Sequence, residues 1–214
     1  MKVKSVPITL NLEPVAKTDN LKLQMHEIEP YYGWRDYYIA EEDPVSPFYE
    51  TARNEFEYTN TIYNYYIHPQ WDYFGSSTMY LKVLYADYDQ QFAIIEFIGE
   101  WNDAITNDIM ILKRDIIDPM LKKGIVRFIL IGENVLNFHA SDDCYYEEWY
   151  DDIKDEGGWV ALINFRKQVI DEMRSNNIFY YLSTGEKLNS LLWRKLKPKD
   201  LHFTVDSMIL KAIT

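Results

Sequence analysis

Cysteine is nearly missing from this chain: Cys144 is the only one in 214 residues. A lone cysteine excludes an internal disulfide and fits a reducing compartment. Long apolar runs are missing as well, and none approaches the ~18 residues of a membrane-spanning helix. The opening MKVKSVPITLNLE has two lysines but no continuous apolar stretch and no small-residue cleavage site, so it does not read as a signal peptide. Together these features point to a cytoplasmic protein. Basic residues are also scarce, with 22 Lys and Arg against 34 Asp and Glu, for a net charge of −12. That balance argues against nucleic acid, whose phosphates need clustered cations, and against an anionic membrane surface. The four histidines are scattered without metal-ligand spacing, and no GxGxxG or Walker-type loop occurs, so neither a metal nor a cofactor is expected.

What is present is enough apolar material for a core, 47% of residues, in a length suited to one domain with an extension. Tyrosine is skewed: ten of 18 fall before residue 78, a region with 12 acids against six bases and few aliphatics. We read residues 1–77 as a Tyr-rich extension of strands and loops that packs on the rest and does not fold alone. Loose alternation suggests short strands over 3–12, 21–28 and 56–67. Pro30, Gly33, Pro44 and Pro47 forbid long helices between them.

Residues 78–214 read as an α/β domain. Thr78–Ala86 and Gln91–Gly99 predict a hairpin, the second strand nearly all apolar as expected when both faces are covered. Ile105, Ile109, Leu112, Ile116 and Met120 mark one face of a long helix capped by Asn102 or Asp103 and loosened at Pro119. A buried strand over 125–131 then leads into a loop over 132–143. Helices are expected around 145–153, 165–173 and 186–196 and after Pro198, with strands at 159–163 and 178–182. This alternation implies a mixed, mainly parallel sheet flanked by helices.

Three stretches resemble the STAS domain, the fold of bacterial anti-sigma-factor antagonists, and its SpoIIAA-like branch. IEFIGEWNDA, Ile95–Ala104, is similar to the family's strand ending in Gly-Glu before an Asp-Ala helix start. FILIGENV, Phe128–Val135, is similar to its second core strand, and GGWVALINF to the SpoIIAA-like branch. The resemblance spans residues 78–196. It implies a non-enzymatic regulatory module working through a protein partner, and a phosphorylatable serine at the start of the second helix. Ser141 is the nearest serine, but Ala140 precedes it where the family has aspartate, and Asp142 and Asp143 would repel a phosphate. Ser141 or Asp142 is therefore expected to cap the helix instead.

No catalytic constellation stands out. His139, Ser141 and Asp142 lie too close in sequence to form a triad from one loop. The binding surface is placed at Asn137, His139, Ser141 and Asp142, beside the acidic and aromatic helix that follows. Cys144, set among acids, is expected to have a raised pKa. A protein partner or a second copy of the chain is the class of ligand this leaves. The alternative is a small-molecule binder or enzyme with a pocket between the extension and residues 132–143.

Overall fold

The structure, a computed structural model, describes residues 24–25, 28–51 and 56–213. The expected strand over 3–12 lies outside them; of 21–28 they include 24, 25 and 28, and Gln24–Met25 form a strand, β1. β1 pairs with β3 (Tyr65–Tyr66), which turns back on β2 (Thr61–Ile62). The single strand expected over 56–67 is thus a short hairpin, bent at Tyr63, whose φ is 52°.

The main sheet has the order β4-β5-β6-β7, built from Met79–Asp87, Phe92–Asn102, Arg127–His139 and Trp159–Ile163. β4 runs antiparallel to β5, and the other two pairings are parallel. This is the mixed, mainly parallel sheet expected from the alternation. Gly99 bends β5 near its end at φ 115°, where a Cβ would lie 2.1 Å from the Thr78 carbonyl oxygen. Only glycine fits so close an approach. The same carbonyl accepts from Glu100 N at 2.8 Å, which fixes the direction in which β5 continues.

One face of the sheet carries Leu81, Val83, Ile95, Phe97, Phe128 and Leu130 under a helical layer. That layer begins with α1 (Asp103–Thr106) and α2 (Asp108–Ile111), where one long helix was expected. Asn107, left-handed at φ 52°, separates them. The break arises because Asp103 and Asp108 turn inward. Asp103 accepts from Trp101 Nε1 at 3.0 Å, Ile109 N at 2.9 Å and Tyr146 OH at 2.7 Å, and Asp108 accepts from Asn102 N at 2.8 Å. Ile105 is left 83% exposed, away from the core face that its spacing assigns it to. A π-turn over Leu112–Ile117 leads into α3 (Asp118–Leu121), and Asp118 N bonds back to Lys113 O just before Pro119, which has no donor of its own. The turn buries the Lys113 ammonium against Asp118 and against Asp152 at 2.8 Å. Asp152 belongs to α4 (Cys144–Lys154), which with α5 (Lys167–Ser175) completes the layer.

Three expectations are corrected here. Residues 178–182 are not a strand: Ile178–Tyr180 form a 3₁₀ turn, and Ile178 and Leu182, four apart, both enter the core. The sheet ends instead in a single bridge of Ser183 to Ala161. Residues 186–196 form two 3₁₀ turns, Leu188–Ser190 and Trp193–Lys195, and no continuous helix. Residues 132–139, expected as loop, continue β6.

The opposite face holds two apolar groups. Ile94, Ile129, Ile131 and Ile163 pack under Trp193 and α6 (Pro198–Ile213), joined by Trp34 from the extension. Tyr80 and Ile98 pack under Ile62, Ile67 and Trp71. The Tyr-rich extension is therefore packed on the sheet. Asp72 and Leu81 exchange backbone hydrogen bonds of 2.7 and 3.1 Å, which covers the edge of β4. Trp34 Nε1 donates to Leu196 O at 3.0 Å, and Tyr38 and Tyr88 both donate to Asp43 Oδ2 at 2.8 and 2.7 Å. Burial raises both phenol pKa values, helped by Asp43 at Tyr88 and by Tyr88 and then Asp43 at Tyr38.

Candidate functional site

β6 outruns β7. Its pairing with β7 stops at Ile131↔Ile163, while its pairing with β5 continues to Asn102↔His139. The ends of β5 and β6 therefore form a two-stranded ribbon beyond the sheet. On it Glu100 faces Asn137, whose Nδ2 donates to Glu100 Oε1 at 2.8 Å. Tyr63 OH, from the β2–β3 turn, donates to Glu100 Oε2, and His139 Nε2 lies 4.0 Å from the same oxygen. These donors, Tyr63 first, hold the Glu100 carboxyl below its ordinary pKa despite partial burial. Phe138, between the two polar residues, points into the core by strand alternation.

Of the four residues singled out in the sequence, the ribbon brings Asn137 and His139 together around Glu100. Ser141 and Asp142 lie past the strand end and are exposed. Ser141 does not cap α4: the N-cap position is Asp143, and Asp142 Oδ1 accepts from Cys144 N at 3.3 Å. The hydrogen bond and charge of Asp142 push the Cys144 thiol up to about 11. Tyr63 and Glu100 were not singled out. The Glu100↔Asn137 register was the missing signal, and it is visible only once β6 is known to continue.

A second constellation lies on the sheet face under the extension. Lys82 and Glu96 are direct cross-strand partners, each the one charged side chain in a buried stretch of its strand. By alternation they sit between the Tyr80–Ile98 pair and the Leu84–Ile94 side, so a charged band separates the two apolar groups. Lys82 Nζ lies 2.5 Å from Glu41 Oε1 and 3.5 Å from Asp72 Oδ2. Glu96 Oε2 accepts from Tyr31 N at 2.8 Å, and its Oε1 faces Arg194 Nη2 at 3.6 Å. Burial pushes Glu96 up to about 7, against the opposing effects of Tyr31 and Arg194. Glu133, at the far end of the band, accepts from Trp193 Nε1 and Asn164 Nδ2, both at 2.8 Å, and pairs with Arg194. Its carboxyl is partly buried, yet these donors keep its pKa below the usual value.

A cavity of about 540 Å³ opens over Lys82, Val83 and Leu84, roofed by the extension. Its lining residues are drawn from the extension and β4 and include none of 132–143. The concave site beside the extension is therefore on the β4 side of the sheet, away from the β6 end where the sequence placed it.

No protein-family model and no curated protein matches this sequence. Among solved structures, the phosphorylated form of the Bacillus cell fate determinant SpoIIAA is similar in fold over part of the chain. The TM-score is 0.36 and the identity 9%, over 50% of this chain and 92% of that one. It is a weak, fold-level likeness. Among the described residues, no helix is long and apolar enough to cross a membrane.

Proposed function

We propose that this chain is a non-enzymatic protein-interaction module of regulatory, STAS-like type, whose partner surface is the projecting end of β5 and β6. One observation carries the reading: Ile105, 83% exposed, lies in α1 three residues past the end of β5. Its backbone N–H is held by Asn102 Oδ1 at 3.0 Å, and Asn102 is the strand partner of His139. An exposed aliphatic just past the strand end, with Glu100, Asn137 and His139 on the ribbon that precedes it, offers the apolar and polar groups that interfaces combine. The stretches that resemble the STAS family, Ile95–Ala104 and Phe128–Val135, fall on β5 with the start of α1 and on β6, the elements that build this tip.

The test is affinity capture in the native cell with a photo-crosslinker at residue 136, beside Asn137. Wild type is expected to trap a discrete protein, and Ile105→Asp and Asn137→Ala to lose it while keeping wild-type thermal melts. Retention of the same protein by both variants would remove the tip from the interface. A crosslink to a second copy of the chain would identify the partner as itself.

A second reading, a small-molecule site closed by the extension, is favoured by the cavity over β4. Its volume of about 540 Å³ falls in the range of ~300–1,000 Å³ usual for ligand pockets.

A further inference from the structure

The cavity over β4 has a composition that selects among ligands. Three acids, Glu29, Glu41 and Glu42, two bases, Arg35 and Lys82, and His68, which lies 3.6 Å from Glu29, line it. The bases are already engaged. Lys82 lies between two carboxylates, Glu41 at 2.5 Å and Asp72 at 3.5 Å, and Arg35 donates to Gln70 Oε1. An incoming anion would meet a paired ammonium and the Arg35 guanidinium against three carboxylates, so the balance of charge opposes it. Glu42 is exposed at the rim, and Glu41 is half-buried within. Five aromatic residues, Tyr31, Tyr32, Trp34, Tyr38 and Phe56, complete the wall.

Aromatic faces beside carboxylates favour a cation twice over. The ring quadrupole attracts positive charge, and the carboxylates supply the Coulomb attraction. Rigid Tyr and Trp side chains also provide apolar contact at small entropic cost. Here the walls are held before any ligand arrives: Tyr31 packs edge-on to Trp34 and Trp193 at ring-centroid distances of 5.2 and 4.9 Å. Tyr31 OH is tied to Arg194 O at 3.1 Å. Preorganisation of this kind lowers the cost of binding.

We infer that the cavity between the extension and β4 is a binding site for an organic cation, a protonated amine or guanidinium carrying an apolar body. The inference rests on the cavity being a ligand site and adds the charge class of its ligand. The same chemistry is offered by a free amine and by a Lys or Arg side chain presented by a protein.

The experiment is a titration of the full-length chain, followed by the indole N–H resonance of Trp34 and by calorimetry. The probes are phenethylammonium, its neutral counterpart 2-phenylethanol, the anion 3-phenylpropanoate and the capped amino acid N-acetyl-lysine methylamide. Phenethylammonium is expected to bind at least ten times more tightly than the neutral and anionic probes and to shift the Trp34 resonance. Glu42→Gln and Tyr32→Ala, both at exposed positions, should each weaken it about 2- to 5-fold, as removal of one surface charge or one exposed cation–π contact does. Tighter binding of the capped lysine than of the free amine would identify a protein side chain as the ligand, and the reverse a metabolite. Equal or stronger binding of the neutral or anionic probe would overturn the cation assignment and leave the cavity a ligand site. No perturbation of Trp34 by any probe at millimolar concentration would overturn both.

Discussion

Replacing Glu96 with glutamine should stabilise the protein at neutral and higher pH, and the gain should vanish in acid. Glu96 is buried under the extension, and its carboxyl is raised from 4.5 to about 7 in the folded state. The protonated form is thus the one that the fold prefers. Below pH 4.5 the group is neutral in the folded and unfolded chain alike, and its contribution to stability is fully present. As pH rises through 4.5 the unfolded chain ionises first, and the contribution is lost until the folded group also ionises near pH 7. At ~1.36 kcal/mol per pH unit, the span from 4.5 to about 7 corresponds to a loss of about 3 kcal/mol. Glutamine keeps an oxygen for the Tyr31 N–H, now 2.8 Å from Glu96 Oε2, and cannot ionise. Urea unfolding of wild type and variant at pH 4.5 and above pH 7 gives two stability differences, from which any pH-independent cost of the substitution cancels. The variant is expected to gain about 3 kcal/mol on wild type between the two conditions. A difference that does not change with pH would show that water reaches Glu96 freely and that the band is not sealed by the extension.

Two other perturbations probe separate parts of the fold. Tyr146→Phe removes the 2.7 Å donor to Asp103 Oδ2, in a site where burial already pushes that carboxyl up to about 6. A loss of about 1–3 kcal/mol in urea unfolding is expected, and an unchanged midpoint would refute the role given to this bond in breaking the helix at Asn107. Separating residues 1–77 from 78–214 should leave the first fragment unfolded and the second with a lower melting temperature and a tendency to aggregate, since Trp34 and Trp71 no longer cover the sheet. Two cooperative melts matching those of the intact chain would instead show two autonomous domains.

The core strands were legible because a strand covered on both faces leaves a simple trace, and FAIIEFIG and the apolar runs of β6 and β7 carry it. The run IFYYL carried a similar trace and misled, because Ile178 and Leu182 enter the core at a turn's spacing beside the last strand. The break at Asn107 was not legible either. It depends on Asp103 reaching Tyr146, 43 residues away, and no local propensity reports such a bond. Asn137 and His139 could be found as polar residues next to a core strand, but Glu100 and Tyr63 join them only through register and through the extension. Lys82 and Glu96 are each one charge in an apolar stretch of strand, but nothing local marks them as a pair. Their pairing depends on a hairpin alignment that contains a bulge at Val83/Tyr85, and single-strand alternation does not give it.

The charged band across the sheet face also works as a ruler for the extension. The extension stands on two apolar feet, Trp34 on one side of the band and Ile67 with Trp71 on the other. Either foot alone would find a greasy surface in several positions, as apolar contacts are tolerant of sliding. Moving the extension along the strands, however, would carry an aromatic ring onto Lys82 or Glu96 and strip Glu41 and the Tyr31 amide from the charges they match. A small displacement would therefore cost buried hydrogen bonds at both ends at once, and the described part of the tyrosine-rich segment takes its alignment from a row of charges on its neighbour.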